Sequence, residues 1–422
     1  MKRTAGLFAL ALLLAACGKS CRHAPTALDD EPITARAPVL EHPPRVAAAR
    51  TAFYSPTTFA RRPSAEELTA LGAQIFRDRG LSASGALACS DCHDPARAFG
   101  PPAGGPVAYG GPAGTAPGVR AAPSLRYLQT VPAFAAHATD EDGTDDGPAG
   151  GLTWDGRANS LHDQARAPLF SPLEMALTSP ADLASRLRMA TYADAMRAAF
   201  GPTVLDAPEP AVHATLLALE VYQQREAEFY PYSSKLDDVV RGRAQLTPQE
   251  QRGRALFEAK AKGNCARCHP DTVSAGFPAF TDFGYVALGV PRNRALATTA
   301  DPAYFDLGLC GPYRTDRAQH AEDCGAFRTP SLRNVATRQH FMHNGALASL
   351  HDAVAFYATR DVTPARWYGP AGVPDDLPAR YRGNLEHERP FGARETPVLS
   401  EVEIADIVAF LGTLTDRDVK MN

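Results

Sequence analysis

Two pentapeptides constrain this chain more than any other feature: Cys89-Ser-Asp-Cys92-His93 and Cys265-Ala-Arg-Cys268-His269, both C-x-x-C-H. The pattern attaches c-type haem, two thioethers fixing the porphyrin and the adjacent histidine becoming an axial iron ligand. Zinc or a thiol redox pair would use cysteines in a similar way. No further Cys-x-x-Cys pair is present to complete a zinc cage, so the reading is two covalently attached haem c groups, with His93 and His269 on iron.

The surroundings of the two motifs repeat. Ser64-Ala-Glu-Glu67 is a capping box, followed by Leu68, Leu71, Ile75 and Phe76 on one helical face. Thr247-Pro-Gln-Glu250 is a second, with Pro248 at the favoured first helical position and Leu256 and Phe257 behind it. A last helix, opened by Ser400-Glu-Val-Glu403, carries Ile404, Ile407, Val408 and Leu411 at core-facing spacing. Strand signals are weak, while 36 prolines and 33 glycines demand many turns. The expected fold class is mainly α: two cytochrome c-like haem domains in tandem, residues 63–235 and 236–422, with long Gly/Pro-rich loops.

Residues 1–17 read as an export signal. Lys2 and Arg3 precede an apolar run, Leu7 to Leu14, that is too short to span a membrane, and Leu14-Ala15-Ala16-Cys17 resembles a lipobox, with Cys17 lipidated. A plain secretory signal cleaved elsewhere is the alternative. Residues 18–62, thick in Ala, Pro and Arg, read as a tether, and Cys21 within it has no evident partner. The expected location is the periplasm, with the membrane touched only through the lipid anchor; Gly18 leans toward the outer membrane. With 43 basic against 47 acidic side chains there is no basic excess for nucleic acid. Cys310 and Cys324 belong to neither haem motif, and in an oxidising compartment they are expected to form a disulfide.

Trp154-Asp-Gly-Arg157, Gln164-Ala165, Pro168 and Glu174-Met175, together with the two haem motifs and Thr329-Pro-Ser-Leu-Arg-Asn-Val335, resemble the bacterial diheme cytochrome c peroxidase and MauG family over roughly residues 62–415. The resemblance implies that Trp154 lies between the haems and assists electron transfer. It implies that Glu174 is the distal acid/base of the first haem and that Gln164 and Pro168 line its distal pocket. Many members cap the first haem with a histidine after the first motif. None occurs here between His93 and His137, so the first haem is expected to be open at rest; Tyr109 is the one aromatic in a loop of Gly, Pro and Ala.

For the second haem the resemblance puts Tyr357 at the sixth-ligand position. Leu350, Val354 and Tyr357 share one helical face, so Tyr357 should point inward. Met342 is the runner-up, with His340 and His343 as further competitors. The family often holds a calcium ion; the acidic loop Asp140–Gly147 offers oxygen ligands, but Ala121 replaces the usual asparagine, and a solvated loop remains an equal alternative. Three functions follow. The first is a peroxidase reducing hydrogen peroxide with electrons from a small cytochrome or copper protein. The second is a MauG-like oxidase acting on tryptophan of a protein substrate, and the third a diheme electron carrier without catalysis.

Overall fold

The computed structural model describes residues 59–139, 145–273 and 276–419. The signal and tether with Cys17 and Cys21, and residues 140–144 of the proposed calcium loop, lie outside the described residues. Helices and short 3-10 turns carry most of the regular structure, and the strands form two-stranded ladders. No helix of the described residues is long and apolar enough to cross a membrane.

Two cores form, each around one C-x-x-C-H motif. In the first, helix Ala65–Ile75 starts at Ser64, whose hydroxyl and Glu67 cap each other's backbone reciprocally. It lays Leu68, Leu71 and Ile75 against helix Pro208–Tyr222, with Leu183, Met196 and Phe200 closing the cluster. In the second, helix Pro248–Glu258 starts with the same device at Thr247 and Glu250. It packs against helix Glu401–Gly412, around Phe257, Phe280, Phe356, Ile407 and Phe410. Burying each of these side chains contributes roughly 1.5–3 kcal/mol.

Both entering helices approach their partners at a glycine. A Cβ on Gly72 would stand 2.1 Å from the Ala218 carbonyl oxygen, and one on Gly253 would stand 1.9 Å from that of Asp406. The halves are tied by buried polar groups. Asp416, near the C-terminus, accepts from Arg126 at 2.9 Å, Tyr127 Oη at 2.7 Å and Asn334 at 2.7 Å. Cys310 and Cys324 are joined by a disulfide, and Arg314 from the loop they close donates to the Asp155 carbonyl at 2.9 Å.

Candidate functional site

The two halves repeat well beyond the haem motifs. Thr153-Trp154-Asp155-Gly156 and Met342-His343-Asn344-Gly345 stand 189 residues apart, as do Ser160-Leu-His-Asp163 and Ser349-Leu-His-Asp352. The backbone follows: Leu152 bridges Ala158 and Phe341 bridges Leu347. Thr153 and Met342 have φ of 74° and 70°, and Gly156 and Gly345 have φ of 65° and 66°. Ser160 caps helix Leu161–Phe170 and Ser349 caps helix Leu350–Thr359. A second repeat, Pro123-Ser-Leu-Arg126 and Pro330-Ser-Leu-Arg333, uses its serines alike. Ser124 donates to the Ala98 carbonyl and Ser331 to that of Ala279, each at 2.6 Å. The halves then exchange equivalent bonds. Ala121 N–H donates to the His343 carbonyl at 2.7 Å, and Arg328 N–H to the Trp154 carbonyl at 2.9 Å.

The histidines of the two C-x-x-C-H motifs are held in one way. His93 Nδ1 faces the Phe99 carbonyl at 3.1 Å, and His269 Nδ1 faces that of Phe280 at 2.9 Å. A ring whose Nδ1–H donates to a carbonyl presents an Nε2 lone pair, the form an iron ligand needs. Burial pushes His93 down to about 4 and lowers His269 as well. Burial also pushes Cys89, Cys265 and Cys268 up to about 12 and Cys92 up to about 11. All four cysteines are free of disulfides, and burial holds their thiols protonated, which does not suit a thiol redox pair.

Around the first motif the structure brings Glu174 to the thiols: its charge acts on both Cys89 and Cys92. The side chain is accessible to solvent but sits in a recess walled by protein. That desolvation raises its pKa against a hydrogen bond with Ser171 and the charge of Arg157. Its backbone is clasped by the loop after the haem motif. Gly111 N–H donates to the Glu174 carbonyl at 2.8 Å, and a Cβ on Gly110 would lie 2.2 Å from the Leu173 carbonyl oxygen. Gln164 and Pro168 stand one turn apart on helix Leu161–Phe170, both half-buried. Tyr109, 54% exposed, points its bulk to solvent.

A largely apolar cavity joins the halves. Trp154 lines it together with Cys265, Cys268, His269, Met342, Tyr357 and Arg338. The Trp154 indole N–H donates to the Ala121 carbonyl at 2.8 Å. Burial, then the neighbouring Cys268 and Cys265, raises the Tyr357 pKa. Of the competing ligands, His340 has both ring nitrogens at carbonyls, Gly345 at 3.2 Å and Gly104 at 2.9 Å. His343 stacks on Phe327 with centroids 3.6 Å apart.

Arg338 is a residue that sequence reasoning passed over. Its guanidinium reaches only the His340 and Ala122 carbonyls, and one nitrogen is buried without a partner. Desolvation alone lowers it to about 10, and it makes no ion pair with a carboxylate among the described residues. A lone buried cation beside this cavity fits the propionates of a haem, as the thiols and the oriented histidines fit its vinyl groups and iron. Arg333 falls within the Thr329–Val335 motif, whereas its counterpart Arg126 is legible only through the repeated Pro-Ser-Leu-Arg.

A family model described as di-haem cytochrome c peroxidase matches residues 66–245. Over 367 residues the chain is 38% identical to the methylamine utilization protein MauG of Paracoccus denitrificans (strain Pd 1222), covering 84% of this chain and 90% of that one. The chain belongs to the di-haem cytochrome c peroxidase and MauG family. It is therefore an oxidoreductase of that family, whose fold holds two haem groups. It is also 30% identical over 320 residues to cytochrome-c peroxidase IdrP1 of Pseudomonas sp. (strain SCT), covering 70% of this chain and 73% of that one. The crystal structure of the diheme peroxidase BthA from Burkholderia thailandensis E264 matches with a TM-score of 0.77 and 41% identity, covering 86% of this chain and 89% of that one.

Proposed function

We propose that this is an exported diheme peroxidase that reduces hydrogen peroxide at a site between His93 and Glu174, fed by a small cytochrome or copper protein. Its two tandem cytochrome c-like domains, 63–235 and 236–422, hold haem through Cys89 and Cys92 and through Cys265 and Cys268. The chain is tethered through residues 18–62 to a lipid on Cys17. One observation carries the functional reading. At matched positions of two matched helices, the first half has Pro168 and the second has Tyr357. Proline has no side-chain ligand atom, so the first half would leave a bound haem uncapped at this position, whereas the second half would offer the Tyr357 phenol oxygen.

When bound, the haem irons supply the peroxide site and store the oxidising equivalents. The chain supplies the proton transfer. The Glu174 carboxylate takes a proton from the near peroxide oxygen and delivers it to the far one, which leaves as water. The same count past each helix reaches Thr363 in the second half, so only the first half carries this acid. Trp154 donates its N–H to a backbone carbonyl, which is no base. An electron can therefore leave the indole while the proton stays, which makes the step easily reversed.

Tyr357 also favours a second reading, a MauG-like oxidase that withdraws electrons from tryptophan on a partner protein. An anionic oxygen ligand stabilises oxidised iron, which suits holding oxidising equivalents better than accepting electrons from a high-potential donor. In either reading, Glu174→Gln should slow the reaction with peroxide ~10²–10⁴-fold with both haems retained, as read by stopped-flow absorbance. An unchanged rate would remove Glu174 from the mechanism.

A further inference from the structure

Away from both haem motifs, helix Leu161–Phe170 crosses helix Pro208–Tyr222 at two histidines. His162 Nε2 faces His213 Nδ1 at 3.4 Å, with the rings inclined by 23°. On the other side of the His162 ring, Glu220 Oε2 stands 3.9 Å from Nδ1. His162 and Glu220 are each 7% exposed, whereas His213 is open to solvent. Burial, reinforced by His213, disfavours the charged form of the His162 ring. A neutral imidazole carries one proton, and the Glu220 carboxylate, 3.9 Å from Nδ1 and so beyond direct hydrogen-bond reach, favours it there through its charge alone. The Nε2 lone pair is then directed at His213.

The spacing distinguishes two uses of that lone pair. A direct hydrogen bond to nitrogen or oxygen is best at roughly 2.7–3.2 Å. Two imidazole nitrogens each about 2.0–2.1 Å from a tetrahedral cation stand about 3.3–3.4 Å apart. We propose that His162 and His213 bind a divalent cation that prefers imidazole, zinc or copper(II), with Glu220 as the orienting carboxylate and water completing the coordination. Arg166, whose charge acts on His162, is paired with Glu209 at 3.5 Å, which tempers its repulsion. The cation cross-links the helix bearing Gln164 and Pro168 to the central helix of the first core. It thereby stiffens the wall of the candidate peroxide site.

The test uses the untagged diheme protein, stripped with chelator and titrated with zinc by calorimetry. One saturable site is expected, accompanied by a rise in melting temperature. His213→Ala, on the surface and safe for folding, should weaken it about 100-fold or more, and Glu220→Gln by about 10–100-fold. Copper(II) bound to the wild type should show hyperfine coupling to two imidazole nitrogens, reduced to one in His213→Ala. The absence of a saturable site, or equal affinity in wild type and His213→Ala, would overturn the proposal.

Discussion

The first half of the chain and the second are built to one plan and finished differently. Each has a capped entering helix pressed at a glycine against its partner. Each ties the Nδ1 of its C-x-x-C-H histidine to a phenylalanine carbonyl, and each opens a later helix from a serine cap, Ser160 in the first half and Ser349 in the second. The divergence is confined to what those shared positions present. The first half has Trp154, Gln164, Pro168 and Glu174; the second has His343, Ala353, Tyr357 and Thr363. Reactivity in such a molecule is thus a matter of a few side chains on a common scaffold. The half that keeps a carboxylate and loses a ligand is the half expected to react.

The comparison can be broken at its foundations first. Arg333 meets Asp237 through two hydrogen bonds of 3.1 and 3.0 Å, both side chains being about 1% exposed. Arg333→Leu removes the paired cation and leaves that carboxylate the Ser234 N–H and hydroxyl as donors, and should cost about 3–5 kcal/mol in denaturant unfolding. Its counterpart Arg126 shares Asp416 with Tyr127, Asn334 and Ser233. Arg126→Leu leaves those donors in place and should cost only about 1–3 kcal/mol. Equal losses would mean that the two arginines are not equivalent supports with unequal backing.

Exchange of the distal residues comes next. Pro168→Tyr gives the first helix the second helix's side chain. The first haem should become six-coordinate, and the rate with peroxide should fall about tenfold or more, some 1.4 kcal/mol in barrier. A smaller effect concerns pH. Glu174 must be ionised to accept the first proton, and its pKa is raised by desolvation. The rate should therefore fall as pH drops through a value above the ordinary glutamate range of about 4.3, and this limb should vanish in Glu174→Gln. A limb at or below the ordinary range would show Glu174 to be solvated in the holoprotein.

Much of this plan was legible because its signals are local. Capping boxes act over three residues, and those at Ser64, Thr247 and Ser400 form as read. The C-x-x-C-H motifs carry their chemistry within five residues. What escaped depends on distant chain. The clasp of Gly110 and Gly111 on Glu174 joins residues more than sixty apart, and nothing in the Gly/Pro loop announces it. Arg338 reads as an ordinary charged residue until its buried surroundings prove to hold no carboxylate. The 189-residue repeat was present in the letters but thin, since Trp154 and His343 share a position without sharing chemistry. Matching φ values and bridges reveal it more clearly than identity does.

The most direct test of an open first haem and a tyrosine-capped second is low-temperature EPR of the resting ferric protein beside its Tyr357→Phe variant. The account predicts one high-spin and one low-spin signal in the wild type, with only the low-spin signal altered by the substitution. Two low-spin signals, both indifferent to Tyr357→Phe, would contradict it.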